Sequence, residues 1–142
     1  MTEKNRKRVK KTLKRKLSND NRVYIVRRFL ETLNCIKLYH WSTYSYSQHI
    51  ATDELYHDLN KYIDEFVEIM LGKTKQRIKH IQLKSMHDVA SKKKFLSIMA
   101  DFKKFLIDLK DVLNPVTDTN LFNIRDEILG NVDKLTYLFE LR

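Results

Sequence analysis

A chain of 142 residues, 42% of them hydrophobic, can bury the core of one domain and is too short for two. Two glycines and one proline leave few places to turn, which excludes a many-stranded β fold and favours a few long helices. No apolar run approaches the roughly 18 residues of a membrane span, and no apolar segment follows the basic N-terminus as a secretory signal requires. The net charge of +10 is uneven: residues 1–22 hold ten Lys or Arg against Glu3 and Asp20, so the body is nearly neutral and the basicity is a tail.

That tail, residues 1–21, has too few apolar groups to offset its ordering entropy and is expected to be disordered or transiently helical when free. The polar run "SNDN" at 18–21 then supplies capping residues for a first helix over about 21–42, on the apolar period Val26, Phe29, Leu30, Leu33, Ile36, Lys37 and His40. Cys35, the single cysteine, sits in this helix as a small buried hydrophobe, which rules out an internal disulfide and suits an intracellular, reducing compartment. A turn rich in Ser, Thr and Tyr leads to a second helix on Leu55, Leu59, Tyr62, Ile63, Phe66 and Met70, with Gly72 as its expected C-cap.

Residues 73–91 are polar and basic and either extend the second helix or cross over. A third helix follows on Phe95, Leu96, Met99, Phe102, Leu106, Leu109 and Leu113, stopped by "NP" at 114–115. The fourth begins near residue 118 on Leu121, Ile124, Ile128, Val132, Leu135 and Phe139. Gly130 inside it is about 1 kcal/mol less favourable than alanine, which points to a close helix contact there. Short first and last links with one long middle connection give the expected fold: an all-α, ferritin-like four-helix bundle over 22–142, with a long crossover between the second and third helices.

The second helix carries polar residues that its core does not need. At about 100° per residue, with His49 at 0°, Asp53 falls near 40°, Asp64 near 60°, His57 near 80° and Glu68 near 100°. The apolar set occupies about 220° to 320° on the same wheel. A metal held inside one bundle needs ligands on the core face, so any site built from these residues needs another chain to close it. The alternative is a solvated polar face, although Ile50, Val67 and Leu71 in the same arc suit a contact surface better. His40 lies instead on the apolar stripe of the first helix, where a histidine is more often buried and hydrogen-bonded than a ligand. Trp41 beside it brings an N–H donor that wants a partner.

"HW" at 40–41, "HIATD" at 49–53 and "DEFVE" at 64–68 together resemble the ferroxidase motif of the Dps proteins, the miniferritins. His49, Asp53, Asp64 and Glu68 keep that family's spacings, while the interval from His40 to His49 is three residues shorter and falls in the turn. The last helix, "NIRDEILGNVDKLTYLFEL", also resembles the family's. The "HWST" and "IDEFVE" phrasing is similar, too, to small proteins of large DNA viruses. The resemblance implies a site for two irons at a two-fold interface, with His40, His49 and Asp53 of one subunit facing Asp64 and Glu68 of its partner in a homodimer or larger homo-oligomer. It implies oxidation of Fe(II) by peroxide or oxygen. Trp41 and His57 would stand behind these ligands rather than among them. Mixed imidazole and carboxylate donors suit iron, and zinc would accept them as well. The ExxH motifs of larger ferritins are absent, which argues against a site within one bundle.

Lys4, Arg6, Lys7, Arg8, Lys10, Lys11, Lys14, Arg15 and Lys16 of the tail would neutralise phosphates and bind DNA in a salt-sensitive, sequence-independent way. Many Dps proteins use similar tails so. The same residues also read as a localisation signal, and Val9, Leu13 and Leu17 as a weak amphipathic helix for an anionic membrane. A nucleoid, nucleus or virion would each suit such a protein. The rival to the iron-oxidising reading is a non-enzymatic DNA-packaging or virion structural protein on the same fold.

Overall fold

The computed structural model describes residues 17–84, 89 and 91–141. The basic tail positions Lys4 to Lys16 named above lie outside them. The described residues form four helices and no strand: α1 Asn19–Ser42, α2 Tyr46–Thr74, α3 Lys92–Asp108 and α4 Thr119–Glu140, with a short 3-10 turn, Leu109–Asp111, after α3.

Serine side chains start three of the four. Ser18, Ser45 and Ser91 each accept a hydrogen bond from a backbone N–H three residues on, at Asn21, Gln48 and Lys94, which satisfies one of the donors a helix start leaves orphaned. Asp118 stands before α4 and makes no such bond. Its carboxylate instead accepts from the Asn114 N–H and pairs with Lys73 at 3.5 Å, so it closes the turn rather than capping the helix.

The helix axes are ordered by contacts at their ends. At one end, the Arg22 guanidinium near the start of α1 reaches Thr74 and Gln76 beyond α2, and Lys73 donates to the Thr117 carbonyl before α4. At the other end, Tyr39 of α1 stacks on Phe95 of α3 at 4.2 Å and lies 5.8 Å from Phe139 of α4, while Lys92 donates to the Phe139 carbonyl. Helix α2 packs against α1 and α4, and α3 against the same two. One continuous core fills the space between, centred on Phe29, Phe66, Phe102 and Leu121. Phe29 meets Phe66, Phe102 and Phe105 edge to face, the arrangement that aligns ring edges with ring faces.

Several expectations from the sequence are corrected by this packing. On α1 the buried arc runs through Ile25, Phe29, Thr32, Leu33, Ile36 and Tyr39, whereas Leu30 is exposed; α1 is covered by α2 on one flank and α3 on the other, which widens the arc away from Leu30. Gly72 does not end α2. The helix runs on to Thr74 and is capped by Lys75, with φ 56° in the left-handed region, because tertiary bonds from Lys73 and Thr74 hold two more residues in the helix. Residues 75–84 do not extend it further. Gly130 makes no close helix contact: a Cβ built there meets nothing within 4 Å, so the core spacing on α4 was set by Ile128 and Val132 and left Gly130 on the surface. The six apolar positions expected on α4 are all buried, as is Cys35.

Arg22 is the one charged side chain that is fully buried among the described residues. Among the described residues no carboxylate pairs with it. Its nitrogens donate to Gln76 Oε1 at 2.8 Å, the Gln76 carbonyl at 3.0 Å, Asn19 Oδ1 at 3.2 Å and Thr74 Oγ1 at 3.4 Å, and Nε has no partner. The negative end of the α2 dipole therefore serves as its counter-charge.

A histidine pair at the turn between α1 and α2

His40 ends α1 and His49 opens α2, and the short turn between them folds the two rings face to face. Their centroids are 3.8 Å apart and their planes 18° from parallel. Each ring is held by the other residue's backbone: His40 Nδ1 donates to the His49 carbonyl at 2.8 Å, and His49 Nδ1 donates to the His40 carbonyl at 2.9 Å. A carbonyl only accepts, so in the neutral form of each ring the proton sits on Nδ1 and Nε2 keeps a free lone pair. This is the tautomer a metal-binding imidazole needs, with its other nitrogen oriented by a backbone oxygen.

Thr52 completes the lock. Fully buried, it donates its hydroxyl to the Gln48 carbonyl at 2.8 Å and receives a second contact from His40 Nδ1 at 3.2 Å. The sequence reading passed over this residue. A signal was present, since Thr52 falls at about 300° on the helical wheel, inside the apolar arc, where a hydroxyl has to find a partner.

Asp53, one residue on and largely exposed, brings Oδ1 to 4.0 Å from His40 Nε2. Two donors on one ion at bonds of about 2.0–2.2 Å stand roughly 3 to 3.5 Å apart, so this pair is wider than a shared ion requires. His40 stands beside both His49 and Asp53. Asp64 and Glu68 do not: they are exposed further along α2, and among the described residues no three His, Cys, Asp or Glu side chains converge closely enough to hold an ion.

His57 is exposed between the two groups, in a shallow depression with Lys37, Asp53, Tyr56 and Asn60. Trp41 is 70% exposed, which leaves its N–H open to solvent. Its ring carries the Lys37 ammonium 5.6 Å from the centroid, and the same ammonium lies 4.5 Å from the Tyr56 ring. Ile50 is exposed and Val67 and Leu71 are half-buried beside the acidic positions. No helix among the described residues is long and apolar enough to cross a membrane.

The model of a family of unknown function matches residues 40–139, from the first histidine of the pair to the end of the core on α4. No curated protein and no solved structure matches the chain.

Proposed function

The chain belongs to this family of unknown function (DUF5856), and with no activity attached to the membership we propose, from the site itself, that the protein binds and oxidises Fe(II) at an interface between two copies, in the manner of a Dps-type miniferritin. The observation that carries this reading is the reciprocal lock of His40 and His49, which leaves both Nε2 lone pairs available, that of His40 4.0 Å from the Asp53 carboxylate.

The rest of the ligand set would come from the partner, and the positions on α2 suit that. His49 and Glu68, Asp53 and Asp64, and His57 and Asn60 are each spaced symmetrically about the peptide between Asp58 and Leu59. Two α2 helices packed antiparallel about a two-fold axis at that point therefore set His49 opposite Glu68 and Asp53 opposite Asp64, twice per dimer. The half-apolar flank of Ile50, Val67 and Leu71 gives such a contact something to bury. Iron is the substrate here: His40 and His49 would bind it through Nε2, Asp53, Asp64 and Glu68 would neutralise its charge, and the buried Thr52 would keep the His40 ring in place. Bound iron supplies the electrons that reduce peroxide or oxygen.

The end contacts described above support a ferritin-like topology. The end of α2 lies by the start of α4 and the start of α3 by the end of α4, and Lys84 donates to Glu31 in the middle of α1; both suit a connection that crosses from one end of the bundle to the other. The basic tail would add salt-sensitive DNA binding.

Iron oxidation by the purified protein tests this reading. The wild type is expected to consume Fe(II), and Asp64→Ala/Glu68→Ala to lose that activity while keeping its helical content. Unchanged oxidation in the double variant overturns the assignment.

A further inference from the structure

Four of the five exposed aromatic side chains among the described residues, Trp41, Tyr44, Tyr46 and Tyr137, belong to one end of the bundle; Tyr44 is 106% and Tyr46 78% exposed. That end is fixed by the stack of Tyr39 on Phe95 and by the bond from Lys92 to the Phe139 carbonyl. It therefore also carries the first turn of α3, Lys92 to Lys94, all three exposed.

The rings do not serve the fold, whereas the Lys92 ammonium is held by the Phe139 carbonyl. Exposed rings bury nothing, and three lysines in a first helical turn oppose the positive end of the helix dipole. The stretch from Trp41 to Ile50 holds no carboxylate, and neither α2 nor α3 has an acid in its first turn. The lysine turn and the exposed faces of Tyr44 and Tyr46 are thus collected on one surface, which also carries the C-terminal ends of α1 and α4.

We infer that this end of the bundle binds single-stranded nucleic acid, with Tyr44 and Tyr46 as stacking surfaces for unpaired bases and the Lys92–Lys94 turn as the contact for the backbone phosphates. Stacking on aromatic faces is open to any base and requires that the base be unstacked from its own duplex. Double-stranded DNA hides those faces and gains only the charge. An anionic bilayer is met by a continuous apolar face, which a turn alternating its tyrosines with Ser42, Thr43, Ser45 and Ser47 does not offer. A second copy of the chain is already assigned to the long face of α2. The inference does not depend on the iron chemistry.

The test is fluorescence anisotropy of the full-length protein with a labelled oligothymidylate and a duplex of equal length, comparing wild type, Tyr44→Ala/Tyr46→Ala and Tyr44→Phe/Tyr46→Phe. Both tyrosines project into solvent, so the variants keep the fold, and the tail contributes alike to each. The alanine pair is expected to weaken single-strand binding by about tenfold or more, as the loss of two stacked bases implies, with duplex binding unchanged and the phenylalanine pair like wild type. An equal loss on both probes, or none on the single strand, overturns the inference. So does a loss of binding to anionic vesicles, or an altered sedimentation coefficient, with single-strand affinity intact; these outcomes give the surface to a bilayer or to a second copy.

Discussion

The histidine pair can be tested by a double-mutant cycle whose outcome follows from where its hydrogen bonds end. Each imidazole donates to the other residue's backbone carbonyl, which an alanine at that position retains. His40→Ala therefore removes one hydrogen bond, worth about 1 kcal/mol net, the ring stack, worth about 0.5–1.5 kcal/mol, and the packing of a ring only 8% exposed. A loss of about 2–3 kcal/mol is expected. His49→Ala, at a half-buried position, should cost about 1–2 kcal/mol for the same bond and stack. The double variant should then fall short of the sum by the stack alone, about 1 kcal/mol, because neither hydrogen bond is lost twice. Urea denaturation of the four proteins, with a common m-value, measures this coupling. Strict additivity would mean that the rings do not stack. A coupling well above about 1.5 kcal/mol would mean that each bond depends on the other ring, and the independence assumed here would fail.

Three further stability predictions concern backbone and charge. Arg22→Met keeps the buried stem and relieves the desolvated charge but strands the Gln76 carbonyl, so it should destabilise by about 1–2 kcal/mol; Arg22→Ala adds a cavity and should be worse by a further 1 kcal/mol or about that. Equal melting of the two variants would remove the packing role of the stem. Gly130→Ala should stabilise by about 0.5–1 kcal/mol, since nothing obstructs the new methyl and helix propensity improves. Lys75→Gly should gain up to about 1 kcal/mol through the left-handed cap at φ 56°. Thermal melts that move down for either would contradict the geometry at these positions.

The sequence by itself was sufficient for the four helices and for most of the core. The 3.6-residue period of Leu121 to Phe139 is local, repeated over five turns, and survives any choice of partner, so every expected position on α4 is buried. The serines before α1, α2 and α3 act within three residues and needed no tertiary context. The separation of the α2 carboxylates from the core face was also legible, because it depends only on angle along one helix.

Tertiary structure decided what depends on two elements at once. Lys75 rather than Gly72 ends α2 because Arg22 and the Asp118 turn grip residues beyond Gly72, which no local propensity encodes. Leu30 is exposed while Ile25 is buried because the flank of α1 is defined by α3, distant in sequence. His40 looked like a core histidine and is indeed buried and bonded, yet the same bonds free its Nε2, so burial and ligand capacity coexist in one side chain. That outcome comes from the length of the turn between α1 and α2: only a chain reversal that sets residues 40 and 49 carbonyl to imidazole in both directions can fix two tautomers at once.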